Sequence, residues 1–280
     1  MAATRSRRLI AMIEVEPLFD YADRSALLTA PAQQVWKVGP QQPAIWQNEV
    51  HIWRAPLDLS WSWTFDEALS LEDRTRADKF KFESDRRKFC AARASLRLIL
   101  SRYLGVKPGR IPLATGDYGK PFIADKHVAQ GLRFNLSHSH QVALISITRD
   151  REVGIDIEFI RSDFVTDEVA GHFFSPAEVA DFRTIAPEHR TRAFFNVWTR
   201  KEAYIKARGE GLYCPLDQFD VSVGSDAPPM LLASRVDPAD AGRWIFNDIF
   251  AGDRYAATVA VEKSFSRLVL WDFVEGNAAR

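Results

Sequence analysis

Apolar positions along the chain recur with the period of a helix in two long segments. The span 85–103 places large apolar side chains close to every 3.6 residues and is followed by Gly105, which predicts a helix that stops there. The span 191–208, which precedes Gly209 and Gly211, predicts a second long helix. Both segments are long enough to form the principal helices of a core.

Serine followed by acidic residues marks two further helix starts. Ser70-Leu-Glu-Asp predicts a helix from Ser70 through about Phe82. A Ser side chain can cap the first turn, and acidic side chains in that turn interact favourably with the helix dipole. Ser175-Pro-Ala-Glu predicts another, with Pro at the first helical position.

Short runs bounded by turn residues predict strands. Val50 and Ile52 alternate with polar positions in the first of them. The predicted strands are 49–54, 132–136, 142–148, 153–158, 219–223, 244–250, 255–261 and 268–273. This mixture of helices and strands predicts an α+β fold.

The order of the predicted elements contains a weak internal repeat. A short helix, a long helix and a Gly stop occur over 70–105 and again over 175–211. Ordinary α+β alternation explains the pattern as well as a true repeat does. A true repeat predicts two similar α/β halves related by pseudo-twofold symmetry, with the active site in the cleft between them. The expected division is a variable N-terminal arm (1–47), an N-terminal half (48–150) and a C-terminal half (151–280).

Composition and charge narrow the class of protein. Lys plus Arg equals Asp plus Glu at 37 each, and this zero net charge argues against a nucleic-acid partner. Cys90 and Cys214 fit neither a disulfide framework nor a zinc site, so reduced thiols are expected. Glu14 and Glu16 interrupt the apolar N-terminal stretch, and no apolar run approaches the ~20 residues of a membrane span. We expect a cytoplasmic protein without a membrane partner.

The strand Val153-Gly-Ile-Asp-Ile-Glu158 carries two acids. Side chains alternate between the faces of a strand, so Asp156 and Glu158 share one face while Ile155 and Ile157 share the other. Two carboxylates about 6–7 Å apart along a strand repel each other unless a cation such as Mg²⁺ lies between them. A solvated polar face explains the pair alone more simply.

A helical stripe and a turn supply further polar groups. Trp198, Glu202 and Lys206 follow at intervals of four residues, which fits either a surface ion pair or a third acid beside a phosphate-binding lysine. Gly119-Lys-Pro predicts a turn that presents Lys120. The segment Phe134-Asn-Leu-Ser-His-Ser139 places a hydroxyl and an imidazole beyond a predicted strand end.

A basic run lies on the first predicted helices. Acids are interleaved with it, so a solvated helix face is expected for most of its members, and a few could bind a terminal phosphate. The run comprises Arg74, Arg76, Lys79, Lys81, Arg86, Arg87, Lys88 and Arg93.

Taken together, these motifs resemble the 4′-phosphopantetheinyl transferases of the larger, surfactin-synthetase-activating (Sfp) type. The resemblance covers about 49–273, and the length favours this two-half form over the smaller carrier-protein synthases. Its motifs are Gly119-Lys-Pro, Phe134-Asn-Leu-Ser-His-Ser, Gly154-Ile-Asp-Ile-Glu, Phe173-Phe-Ser-Pro-Ala-Glu and Trp198-x-x-Lys-Glu-Ala-x-x-Lys206.

The resemblance implies transfer of the 4′-phosphopantetheine arm of coenzyme A to a serine of an acyl or peptidyl carrier protein, with release of adenosine 3′,5′-bisphosphate. It implies Mg²⁺ held by Asp156, Glu202 and Glu158, the last directly or through water. Glu202 matches the proposed general base, and Lys206 matches the lysine near the diphosphate. Lys206 and His138 would stabilise the charge that develops on the phosphates.

The remaining implied contacts concern coenzyme A. Ser137 and His138 match contacts to its phosphates. Lys120 and Pro121 match contacts around the adenine nucleotide. Arg76 and Lys88 fall near the basic contacts to the 3′-phosphate, on a helix that aligns loosely.

Two further expectations concern partners. Adjacent Phe173 and Phe174 cannot both face one core, so they are candidates for carrier docking, although burial of both is as good an explanation.

We expect a monomer that binds coenzyme A and a carrier protein. The competing hypotheses are a non-catalytic coenzyme A or carrier-binding module and a metal-dependent phosphodiesterase.

Overall fold

The computed structural model describes residues 34–57, 63–162, 165, 167–224 and 228–275. Most of the predicted arm (1–47) lies outside the described residues. Its last part, from Gln34, contacts the C-terminal portion of the chain: Gln34 Nε2 donates to the carbonyl of Asp248 (2.7 Å) and Trp36 Nε1 to that of Phe250 (2.8 Å).

Groups of helices and groups of strands follow one another along the described chain. The helices are α1 (Trp63–Ala68), α2 (Leu71–Ala77), α3 (Glu83–Leu104), α4 (Lys126–Ala129), α5 (Asp167–Phe173), α6 (Pro176–Thr184), α7 (Pro187–Arg208) and α8 (Asp240–Arg243). The strands are β1 (Lys37–Val38), β2 (Glu49–Pro56), β3 (Leu113–Thr115), β4 (Pro121–Ile123), β5 (Leu132–Ser139), β6 (Val142–Arg149), β7 (Val153–Phe159), β8 (Phe219–Val221), β9 (Leu231–Ser234), β10 (Trp244–Asp248), β11 (Tyr255–Glu262) and β12 (Arg267–Asp272).

The described strands form two larger sheets and two small ribbons. A five-stranded sheet has the order β1-β12-β2-β6-β5, and a three-stranded sheet has the order β10-β11-β7. The ribbons pair β3 with β4 and β8 with β9. Strand β12 is parallel to both of its neighbours, whereas the other pairs are antiparallel.

Capping signals in the sequence explain several of the helix ends. Ser70 forms a capping box with Asp73 at the start of α2, and Gly105 ends α3 in the left-handed conformation (φ 64°). Helix α2 ends at Ala77, earlier than predicted, whereas α7 begins at Pro187, four residues before the predicted start. The two long helices are thus confirmed with small shifts at their ends.

Three buried apolar clusters hold the layers together. One lies between α3 and the five-stranded sheet, and a second surrounds α7. The third lies between the two sheets, where Val50, Ile52 and Leu144 of one sheet meet Ile155 and Ile157 of the other. The α+β class is confirmed, and the pseudo-twofold relation between halves stays a prediction.

Two global features concern the cysteines and the helices. Cys90 and Cys214 are both buried free thiols. Within the part of the chain that the structure describes, no helix combines the length and apolar character that a bilayer crossing requires.

Candidate active site

Strand β7 lies directly against helix α7, and Gly154 makes this close approach possible. A Cβ atom at position 154 would lie 2.1 Å from the carbonyl oxygen of Ala203 and 2.3 Å from the amide nitrogen of Ala207. Only glycine fits such a contact with helix backbone. The glycine therefore brings the acids that follow it on β7 next to the last turns of α7.

Polar side chains of β5 bridge to β7 at every second residue. The side chain of Asn135 accepts from the amide of Ile155 (3.0 Å), and Ser137 Oγ donates to Asp156 Oδ1 (2.9 Å). Ser139 Oγ lies 2.9 Å from Glu158 Oε2. The alternation of strand side chains thus explains why this motif spaces its polar residues by two.

Helix α7 contributes Glu202 and Lys206 to the same place. The ammonium of Lys206 binds Asp156 Oδ1 and also donates to Ser137 Oγ (3.0 Å). Burial opposes the charge on this lysine, yet the neighbouring carboxylates of Asp156 and Glu202 raise its pKa. Glu202 and Lys206 of the predicted stripe therefore face the strand acids, whereas Trp198 packs against Phe173 and Phe194.

Two of the acids share a raised pKa. Burial, reinforced by the charges of Asp156 and Glu158, raises the pKa of Glu202 to about 7 although Lys206 opposes the shift. Burial and the charge of Asp156 likewise raise the pKa of Glu158 to about 7. The three carboxyl groups therefore lie close enough to influence one another, which is the electrostatic condition that a bound cation relieves.

The chemistry of this cluster fits a hard divalent cation. Its donors are carboxylate oxygens, which Mg²⁺ prefers. Asp156 Oδ2 is buried and has no hydrogen-bond partner among the described residues, so one oxygen remains available to a metal. No group of three or more His, Cys, Asp or Glu side chains is already gathered for a metal ion within the described ranges, and Lys206 instead neutralises Asp156.

A cleft of about 230 Å³ opens beside these residues. It brings together several of the predicted site residues from both predicted halves. Its lining comprises Tyr118, Gly119, Lys120, Pro121, Asn135, Leu136, Glu202, Ile205, Lys206, Gly209 and Gly211. The lining residues Tyr118, Gly209 and Gly211 were not predicted site residues, although Tyr118 directly precedes the Gly-Lys-Pro motif and the glycines end α7.

Lys120 is tied into the wall of this cleft. Its ammonium donates to Glu152 Oε2 (2.8 Å) and to the carbonyl of Ala207 at the end of α7 (2.9 Å). Burial lowers its pKa, and the charge of Glu152 opposes this. Lys120 therefore joins the β3–β4 ribbon to α7, a contact that the sequence did not reveal.

The predicted phosphate contacts Ser137 and His138 lie within β5 and not beyond its end, because the strand continues to Ser139. The side chain of His138 is exposed, unlike Ser137, which is buried. Although part of the imidazole reaches solvent, the protein packed around the rest of the ring desolvates it, and together with the charges of Lys206 and Lys88 this lowers its pKa. Lys88 on α3 is thus near His138, while the guanidinium of Arg76 lies 5.4 Å from the ring centre of Phe89.

The structure separates the two adjacent phenylalanines. Phe174 is only 3% exposed and stacks on Phe194, with ring centres 5.1 Å apart. Phe173 is half-buried and meets the edge of Trp198 at 4.8 Å. Phe174 fills the core and is not available to a partner on the surface, so the docking hypothesis rests on Phe173 alone.

We expect Phe174→Ala and Phe173→Ala to differ in their effect on folding. The first leaves a cavity in the α7 cluster and should lower the free energy of unfolding by about 3–5 kcal/mol. The second should cost clearly less, because its ring keeps partial contact with solvent. Urea unfolding of both variants measures the difference, and equal losses would contradict this assignment of core and surface.

The raised pKa values predict a pH dependence of stability in metal-free protein. Between the usual carboxyl pKa of 4.5 and about 7, the folded protein binds more protons at Glu158 and Glu202 than the unfolded chain does. Their contribution to stability is therefore largest below pH 4.5 and is lost as the pH rises through 7. Melting curves of wild type and Glu202→Gln at pH 5 and pH 8 isolate this contribution.

At pH 8, the free energy of unfolding of Glu202→Gln should rise relative to that of wild type, on the order of 2 kcal/mol. At pH 5 the two proteins should melt alike, because Glu202 is then protonated in the folded state. The same difference in melting temperature between wild type and Glu202→Gln at both pH values would contradict the raised pKa.

Comparison with known proteins places the chain in a family. A sequence model described as "4′-phosphopantetheinyl transferase superfamily" matches residues 152–260, and one described as "4′-phosphopantetheinyl transferase, N-terminal" matches 52–149. The 4′-phosphopantetheinyl transferase HetI of Nostoc sp. is 37% identical over 82% of this chain and 94% of its own.

One further relative and one solved structure are similar to parts of the chain. The 4′-phosphopantetheinyl transferase Sfp of Bacillus subtilis is 31% identical over 61% of this chain and 74% of its own. The solved holo-[acyl-carrier-protein] synthase of Thermotoga maritima matches 40% of this chain and 63% of its own at 23% identity, with a TM-score of 0.32. The chain belongs to the 4′-phosphopantetheinyl transferase superfamily, and the Sfp-type resemblance of its motifs is confirmed. It is an enzyme of this transferase class.

Proposed function

We propose that the enzyme transfers the 4′-phosphopantetheine group of coenzyme A to a serine hydroxyl of an apo carrier protein. The observation that carries this proposal is the meeting of three acids with Lys206 and Ser137 at a cleft that Lys120 and Pro121 also line. Acids beside basic and hydroxyl groups suit a diphosphate substrate whose charge increases during reaction.

Each residue of the cluster has a chemical part in this transfer. Asp156, Glu158 and Glu202 would hold Mg²⁺, which would supply Lewis-acid stabilisation of the phosphate oxygens. Lys206 donates to the diphosphate, and Ser137 and His138 bind its oxygens from the side of β5. Lys120 and Pro121 contact the nucleotide part of coenzyme A. Arg76 and Lys88 provide positive charge for its 3′-phosphate.

Glu202 is the proposed general base. Its carboxylate lines the cleft beside Lys206, where the hydroxyl of a carrier serine could reach it. The carboxylate takes the proton of the carrier serine as its oxygen bonds to the β-phosphorus of coenzyme A. The bond from that phosphorus to the bridging oxygen breaks, and adenosine 3′,5′-bisphosphate leaves with the electron pair.

Phe173 is the proposed contact for the carrier protein. Its ring is partly accessible beside Trp198, on the segment that leads into α6. We retain a monomeric state and a cytoplasmic location as expectations of this proposal.

Incubation with coenzyme A, Mg²⁺ and a purified apo carrier tests the function. Intact-mass analysis should detect the phosphopantetheine adduct on the carrier, and replacement of the acceptor serine by alanine should abolish it. Chelation of the metal should stop the reaction, and added Mg²⁺ should restore it. An unmodified carrier with each of several acyl and peptidyl carriers would contradict the proposal and favour a binding module.

A further inference from the structure

Two motifs of the family resemblance contain charged residues that the cleft does not use. Glu178 ends the segment Ser175-Pro-Ala-Glu, and Lys201 directly precedes Glu202 on α7. Their side chains are buried, with relative exposures of 1% and 0%. Lys201 Nζ lies 2.7 Å from Glu178 Oε2, so the two motifs meet in one buried ion pair.

The ammonium of Lys201 also holds the chain that follows α7. It donates to the carbonyl of Leu216 (2.7 Å) and to that of Phe219 (2.8 Å). The segment between α7 and Leu216 includes Gly209 and Gly211, which line the cleft. One ammonium group therefore fixes both α7 and the far end of the adjoining cleft wall.

Glu178 connects the pair to two further elements. Its Oε2 accepts from the amide of Ser175 at the start of α6 (2.7 Å), and its Oε1 accepts from the amide of Val221 on β8 (2.7 Å). Both carboxylate oxygens thus have partners. Through these hydrogen bonds, the ion pair connects α6, α7, β8 and the segment after α7.

We propose that Lys201 and Glu178 are positioning residues, which fix α7 so that Glu202 and Lys206 face Asp156. A buried ion pair adds little net stability, because desolvation of both charges offsets their attraction. Its directional contacts nevertheless allow only one placement of the helix. Neighbouring residues of a helix are related by a fixed rotation and a rise of about 1.5 Å, so anchoring Lys201 also sets the direction of Glu202.

This inference rests on the proposed function, since it assumes that Glu202 holds a metal and accepts a proton. The test is the double variant Lys201→Met/Glu178→Gln, which removes both buried charges together and keeps similar volumes. Mn²⁺ is titrated in the presence of saturating coenzyme A, with free Mn²⁺ followed by electron paramagnetic resonance. The turnover number is measured on the same samples.

We expect Mn²⁺ affinity and turnover to fall by about 10-fold or more, as for other supports of metal ligands. The matched control is Arg97→Met/Asp73→Asn on the other long helix. There a buried arginine pairs with Asp73 and likewise holds two carbonyls, those of Pro108 (3.0 Å) and Ile111 (2.9 Å). The control should lower the melting temperature while Mn²⁺ affinity stays within twofold of wild type.

Mn²⁺ affinity and turnover within twofold of wild type in the folded double variant would overturn the inference. If that variant melts below the assay temperature, Glu178→Gln alone takes its place, because Lys201 then retains its two carbonyls. Failure of both variants to fold would assign the pair a role in stability alone and would also overturn the inference. Failure of the proposed function is distinct: the wild-type protein itself would then leave every apo carrier unmodified in the presence of coenzyme A and metal.

Discussion

Replacement of Glu202 by glutamine is expected to lower the turnover number by about 10²–10⁴-fold, the loss typical of a missing general base, while the protein remains folded. Glutamine keeps the size of the side chain but cannot accept the proton of the carrier serine. Burial already disfavours the charge of Glu202, so the neutral side chain relieves a cost and should not lower the melting temperature.

The alternative explanation of Glu202 as one half of a surface ion pair predicts the opposite result. In that case the variant would lose a little stability and keep near-normal turnover. The ammonium of Lys206 instead binds Asp156 and Ser137, which favours the catalytic explanation. Glu188→Gln, an exposed position in the first turn of the same helix, is the matched control. Turnover of Glu202→Gln within threefold of that control would end the assignment.

Replacement of Gly154 by alanine is expected to separate helix α7 from strand β7 and to remove activity with it. The new methyl group would overlap the backbone at Ala203 and Ala207, which cannot turn aside as a side chain could. We expect a loss of about 3 kcal/mol, the upper end for an overfilled core, or roughly 6–12 °C in melting temperature. Turnover should fall by more than this partial unfolding explains, because Glu202 moves away from Asp156.

Gly171→Ala is the matched control for this substitution. A Cβ atom there meets nothing within 4 Å, and the residue lies in helix α5, where alanine is favoured over glycine by about 1 kcal/mol. The control should be as stable as wild type or more so, with unchanged turnover. If Gly154→Ala has the same melting temperature as Gly171→Ala, helix α7 can shift away from β7 at little cost in free energy, and the prediction is wrong.

The faces on which the acids of the site lie could be predicted from the sequence because the signals are local, whereas the assignment of these acids to a site came from the family resemblance. The alternation of Asp156 and Glu158 with isoleucines defines one polar face of a strand, and the spacing of Glu202 and Lys206 defines one stripe of a helix. Both patterns depend only on the geometry of a single element. The same is true of the long helices, whose glycine ends were confirmed at Gly105 and Gly209.

Features that depend on tertiary contacts could not be predicted in this way. Gly154 occupies the predicted polar face, yet only the packed structure identifies the backbone of α7 as its neighbour. Lys120 has an ion pair with Glu152, and Lys201 is buried beside Glu178, although a lysine in isolation is expected to be exposed. The order of Phe173 and Phe174 gave no means to decide which ring enters the core.

The position of strand β12 has a consequence for the order in which the fold can form. It lies between β1 and β2 and pairs Arg267 with Glu49, so residues 218 positions apart in sequence become neighbours. During synthesis, which proceeds from the N-terminus, the parallel partner of β2 therefore emerges only after the described elements from α1 to β11 have been made. Until then this edge of β2 presents unpaired backbone groups that can bind other strands. Closure of the larger sheet is accordingly a late, long-range step, and the edge of β2 stays open to aggregation until β12 emerges.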